Sequence, residues 1–190
     1  GADVLVKEAM SMGADVVGGI PWIELNNADA QSHIDSMFAV AVEYNAPISM
    51  LVDDVGDAEL RTLEMLSNVT RETGWEGRVL AHHARAMSLY PDNYHDMLVE
   101  LLKETQVGIV TDPHTGPLHV RVQNLLDNDV LVCLGQDDIS DAYYPYGHNN
   151  MLEVAFLASH LLWMTTAADM DVLYDMITSK AAQAIGLKDY

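Results

Sequence analysis

Carboxylates and imidazoles recur along this 190-residue chain just after short apolar runs: Glu24, Asp53 with Asp54, His82 with His83, Asp112 with His114, and Asp137 with Asp138. Converging on one edge of a fold, such side chains bind a hard or borderline cation, lower the pKa of its water and pass a proton to a leaving nitrogen. Hydrolysis is the chemistry such a set points to. The competing reading is structural, because Asp and His also end strands by capping the next helix or holding loop backbone; for any single pair it is the simpler one. Neighbouring strand residues point to opposite faces, so each doublet offers a site one side chain. His33, His95 and His160 fall in helical segments and read as surface or packing residues. Met10, Met12, Met37, Met65, Met97, Met151 and Met164 recur at helical spacing and read as core filler.

The elements that must position these groups are legible from hydrophobic patterning. Apolar or β-branched runs at 15–20, 48–52, 78–83, 107–111 and 130–135 predict parallel strands; being nearly continuously apolar, they imply cover on both faces. Helical periodicity predicts helices at 4–12, 28–44, 57–73, 93–104, 149–164 and 170–185. Gly13, Gly74 and Gly186 stand just past such segments, where a left-handed cap favours glycine. Residues 118–128 read either as a short helix or as a loop and turn. No linker or repeat interrupts the alternation, which predicts a single α/β domain over 1–190. Two folds share this pattern. A five-stranded doubly wound sheet is complete at this length, whereas a (β/α)8 barrel takes about 250 residues. Periodicity alone favours the sheet. Val17-Gly18-Gly19-Ile20 runs into Pro21-Trp22 with no G-x-G-x-x-G, so a nucleotide site loses support.

Composition narrows the partners. Nine Lys+Arg against 29 Asp+Glu give a formal charge of -20, which repels phosphate backbones and anionic membrane surfaces and argues against nucleic acid. The acidity is spread along the chain as a solvated surface. Polar residues interrupt each apolar stretch before it could span a bilayer, and no charged start leads into a signal region, so neither membrane insertion nor secretion is expected. The only cysteine, Cys133, lies in the apolar run 130–134 and reads as a small buried hydrophobe, in keeping with a reducing, cytoplasmic compartment.

One run carries a more specific signal. From Gly135-Gln136-Asp137-Asp138 through Tyr144-Pro145-Tyr146-Gly147 to Asn150-Met151, the chain has a small residue, an acidic pair, an aromatic-proline-x-glycine loop and a helix opening with Asn-Met. This resembles the end of the eighth barrel strand in the amidohydrolase superfamily, in cytosine deaminases and the related triazine-ring amidohydrolases. Gly13 to Pro21, Val52-Asp53-Asp54, Gly77 to Met87 and Met176 to Ser179 extend the resemblance, in order, over nearly the whole chain.

The resemblance implies a partial TIM (β/α)8 barrel of the metal-dependent hydrolase type, about strands 4 to 8 with their helices. It implies cleavage of carbon–nitrogen bonds in cyclic amidines, pyrimidine or triazine, by metal-hydroxide attack on a ring carbon with release of ammonia or an amine. Carried over by position, Asp137 is the metal ligand and a catalytic residue, His83 assists the metal-bound water, and Asp54 takes the place of a Glu that protonates ring and leaving group. Asp138 and Tyr143 fall at substrate-contacting positions. The family's divalent metal is iron or zinc. Its fifth-strand His ligand matches Leu51, which has no lone pair to offer, and the first-strand His-x-His has no counterpart here, so weak metal binding and no turnover by this chain alone are expected. An open partial barrel leaves strand edges and an apolar face exposed, which predicts a homo-oligomer or a helix folded across that face. Two alternatives stand beside this reading: a non-catalytic barrel relative acting as a binding or subunit-like protein, and a complete five-stranded nucleotide or effector domain, which would need a phosphate-binding first loop.

Overall fold

The structure, a computed structural model, describes residues 2–187. Five parallel strands, β1 (Val17–Gly19), β2 (Ile48–Val52), β3 (Val79–His83), β4 (Gly108–Thr111) and β5 (Val132–Leu134), form one sheet in which each strand pairs with the next in sequence. Val17 registers with Ile48, Ile48 with Val79, and Ile109 with Val132. That order decides between the two candidate folds. A doubly wound sheet reverses direction at a switch point and carries helices on both faces, whereas here the order never reverses. Consecutive βα units in unbroken order are a stretch of a (β/α)8 barrel wall.

Helices α1 (Ala2–Ser11), α2 (Asn27–Tyr44), α3 (Thr62–Thr73), α4 (Asp92–Thr105), α5 (Val122–Asp127), α6 (Met151–Leu161), α7 (Ala167–Ile177) and α8 (Ser179–Ala184), with 3-10 turns at Pro21–Ile23, Arg85–Leu89 and Pro113–Thr115, complete the described elements. Local chemistry sets their ends. Asn26 accepts hydrogen bonds from the Ala28 and Asp29 amides at 2.9 and 3.0 Å to start α2, and Asn45 ends it with a left-handed φ of 52°. Thr166 and Asp169 form a reciprocal capping box for α7. The expected helix over 57–73 begins only at Thr62, because the Asp57 side chain accepts from the Glu59 amide at 2.9 Å and turns the chain there. The expected helix over 170–185 breaks at Thr178, whose backbone leaves the helical region at φ −127°, ψ −92°. Residues 118–128 resolve as a loop followed by α5.

The helix-facing side of the sheet is the core. Ile48, Met50, Ala81 and Ile109 pack with Ile34 and Phe38 of α2, Leu63 and Leu66 of α3, and Leu98 and Leu102 of α4, all buried. Each such aliphatic or aromatic side chain withdrawn from water contributes about 1.5–3 kcal/mol. The expectation of cover on both faces holds throughout β4 and β5, whereas β2 and β3 are fully buried on this side only. On the other, Gly18, Ser49, Leu80, His82, Val110 and Cys133 line an open trough of about 950 Å³, bordered by Ala181 and Ile185 around α8. Among the described residues, no helix is long and apolar enough to cross a membrane. Met10, Met37 and Met164 are buried as expected, but Met12 and Met97 are exposed.

Candidate active site

The C-terminal strand ends gather the titratable groups, and the backbone decides which member of each doublet takes part. Asp53 has a left-handed φ of 46° and is wholly buried. Its carboxylate accepts from the Thr62 and Leu63 amides at 2.8 and 3.1 Å, the Thr62 hydroxyl at 2.6 Å and the Tyr90 hydroxyl at 2.9 Å. Asp53 is thus the anchor that starts α3. Asp54, its neighbour, turns to the site: Arg85 Nε donates to Asp54 Oδ1 at 2.6 Å, Arg85 Nη2 to the Asp54 carbonyl at 2.7 Å, and Arg85 Nη1 to the Thr115 carbonyl at 2.6 Å.

The β3 doublet divides in the same way. His82 lines the trough, where its Nε2 and Ser49 Oγ lie 2.6 Å apart, and burial lowers its pKa. His83 has a left-handed φ of 67°, and its Nδ1 lies 3.1 Å from Asp112 Oδ2 and 3.6 Å from Asp54 Oδ1. Burial opposes charge on His83, but the carboxylates of Asp112, Asp54 and Asp137 outweigh it and raise its pKa.

After β5, Asp137 also adopts a left-handed φ of 67°. Its carboxyl is pushed up by desolvation and by the charge of Asp112, with His83 pulling the other way. Asp138 is pushed up to about 6, by desolvation first and then by a shared hydrogen bond with Asp141. Asp141 stays ionised because the Tyr144 and Tyr143 amides both donate to its Oδ1 at 2.8 Å. The loop folds tightly: a Cβ on Gly147 would run into the Asp138 carbonyl, which explains the glycine of the aromatic-proline-x-glycine run.

Of the residues expected from sequence, Asp54 and His83 come together, Asp137 lies within their electrostatic reach, and Asp138 sits beside it. Tyr143 is 71% exposed, while Tyr144 packs edge-on against His114 at 5.0 Å. Sequence reasoning missed the roles of Arg85 and of Asp112 as the direct partners of Asp54 and His83. The only signal for either was a charged residue at or just past a strand end.

The sequence and the fold have known counterparts. The model of the amidohydrolase family ("Amidohydrolase family") matches residues 1–190. The chain belongs to the amidohydrolase family. Among amidohydrolases, N-isopropylammelide isopropyl amidohydrolase of Pseudomonas sp. (strain ADP) is 28% identical over 188 residues, 98% of this chain and 46% of that protein. The 5-methylcytosine deaminase of Klebsiella pneumoniae liganded with phosphonocytosine superposes with a TM-score of 0.93 at 30% identity, covering 98% of this chain and 49% of that one. N-isopropylammelide isopropylaminohydrolase from Burkholderia multivorans ATCC 17616 superposes with a TM-score of 0.90 at 25% identity, covering 99% and 48%. The chain therefore spans about half the length of the relatives it matches, and its sheet is that portion of an amidohydrolase barrel.

The residues present do not by themselves fit the divalent metal that an amidohydrolase of this type implies. Among the described residues, no three His, Cys, Asp or Glu side chains converge as a cage, and catalytic sites keep three protein ligands. Leu51 lies two residues beyond Ser49 on the trough face, in register with His82, and has no donor atom. Asp54 is already held by Arg85.

Proposed function

We propose that this chain is part of a hydrolase of carbon–nitrogen bonds in cyclic amidines, pyrimidine or triazine rings, that releases ammonia or an amine. The observation that carries the reading is the pairing of Asp54 with His83, with Asp137 in electrostatic reach, at the strand ends of a barrel wall shared with a 5-methylcytosine deaminase and an N-isopropylammelide isopropyl amidohydrolase. In this reading His83 and Asp54 move protons between water and the leaving nitrogen. Asp138, pushed up to about 6 and therefore mostly ionised at neutral pH, would contact the ring as a hydrogen-bond acceptor. An iron or zinc ion of the family type would polarise the attacking water, with Asp137 as this chain's contribution to its shell and the remaining donors supplied from outside it.

Phosphonocytosine and N-isopropylammelide are the natural probes. Titrated into ¹⁵N-labelled chain, they are expected to shift amide signals around 83–85, 112–116 and 137–144; the absence of any shift with either would sink the substrate class. Elemental analysis and an ammonia or isopropylamine assay complete the test. Substoichiometric zinc or iron and no turnover are expected of the chain alone.

Leu51 favours a second reading, a non-catalytic relative that keeps the ring-binding edge as a binding or subunit-like protein. Stoichiometric metal together with turnover would exclude it.

A further inference from the structure

His83 and Asp112 are each almost fully buried, with side chains 3% and 4% exposed. The nearest atoms, His83 Nδ1 and Asp112 Oδ2, lie 3.1 Å apart, off the line of a good hydrogen bond, and neither has any other hydrogen-bonding partner. A buried, unpaired imidazole nitrogen or carboxylate oxygen is costly, so each group is the other's nearest compensation. The contact requires room that one residue provides. A Cβ on Gly135 would run into Asp112 Oδ1 and lie 3.0 Å from Val110 Cγ1, yet Gly135 has no left-handed φ that would demand glycine for backbone reasons. Its small size therefore serves the placement of Asp112.

We infer that Asp112 is a positioning residue for His83: its carboxylate faces Nδ1 and keeps the proton on that nitrogen, fixes the ring tautomer, and so leaves Nε2 as the nitrogen free to exchange a proton with water or substrate. A carboxylate at one imidazole nitrogen selects which nitrogen carries the proton and stabilises the imidazolium once formed. Asp54, at 3.6 Å from the same nitrogen and tied to Arg85 through Oδ1, cannot serve equally. The inference rests on the reading of His83 as a proton-transfer group, but concerns only which nitrogen is available.

The test is made on the ¹⁵N-labelled 190-residue chain by long-range ¹H–¹⁵N correlation of the imidazoles, which reports protonation of each ring nitrogen without turnover. The neutral His83 ring is expected to be protonated at Nδ1. Asp112→Asn, nearly isosteric, should convert it to a mixture of tautomers or to the Nε2-protonated form, with His33, whose Nδ1 lies 2.7 Å from Glu24 Oε1, as an unchanged internal reference. Gly135→Ala keeps the charge but displaces the Asp112 carboxylate, and should reproduce the change even if Asp112→Asn fails to fold. An Nε2-protonated His83 in the unaltered chain, or identical His83 signals in the unaltered chain and both variants, would overturn the inference. Loss of probe binding with His83 still protonated at Nδ1 would instead count against the substrate reading and leave this one standing.

Discussion

Tyr90, in the segment after β3, donates its hydroxyl to Asp53 Oδ2 at 2.9 Å and, as a shared donor, to the Leu60 carbonyl at 2.8 Å. The bond joins the ends of two neighbouring βα units around a carboxylate that also starts α3. Removing one partner of a buried charged hydrogen bond costs about 1.5–3 kcal/mol. Tyr90→Phe should therefore lower the unfolding free energy by about 2 kcal/mol in urea titration. Asp53→Ala, which orphans the Thr62 and Leu63 amides and two hydroxyls together, should cost at least about 3 kcal/mol. A loss under half that figure would mean that Asp53 is not the anchor described.

The Arg85 fork makes a different demand. Three of its nitrogens reach Asp54 Oδ1, the Asp54 carbonyl and the Thr115 carbonyl, from a side chain 19% exposed. A lysine has a single nitrogen and cannot span these acceptors. Arg85→Lys is expected to be nearly as destabilising as Arg85→Met, each by about 1–3 kcal/mol in chemical denaturation. Restoration of full stability by lysine would show that charge alone holds Asp54.

His95, in α4, is completely buried and neither ring nitrogen has a hydrogen bond; the nearest carboxylate oxygen, on exposed Asp96, is 3.5 Å from Nδ1. Burial first, and the Arg121 charge second, lower its pKa below the ordinary 6.5. Between the lowered folded value and 6.5 the unfolded chain binds more protons, so stability rises with pH across that window and is lost as pH falls below 6.5. His95→Leu removes this contribution. The variant should gain stability relative to the unaltered chain as pH falls from about 7 to about 5, read from urea midpoints; parallel pH profiles would refute the assignment.

The trough face bears on association. Ser49, Leu80 and His82 are only half-buried there, and β1 and β5 each leave one edge unpaired within the sheet. Light scattering of the purified chain should give a mass above that of one 20.9 kDa copy. A monodisperse monomer at high concentration would contradict this expectation.

What the sequence disclosed follows from how local each cause is. β2 matches its predicted bounds of 48–52, because a short apolar run that ends at a charged pair is a local property. The rule that a doublet offers one side chain predicted that Asp53 and Asp54 would part ways, and they do. It could not say which faced inward, since that depends on the left-handed backbone at Asp53. The choice between open sheet and barrel wall was illegible from periodicity, because strand order is a long-range property; only the motif around Asp137 pointed to the barrel. Asp112 was visible as a strand-end carboxylate, but its pairing with His83 spans β3 and β4 and depends on the missing side chain at Gly135. Tyr143 was placed by its position in a motif, and the turn anchored on Asp141 holds its backbone amide while leaving the residue exposed.

Asp53, His83 and Asp137 all hold a backbone conformation that β-branched residues scarcely tolerate and that Asn and Asp bear most easily. A saturation library at these three codons would therefore rank its members by tolerance of the main chain before it ranked them by reactivity. Asparagine is the fair comparison at 53 and 137, and a valine or isoleucine that kills either position carries no information about a missing carboxylate.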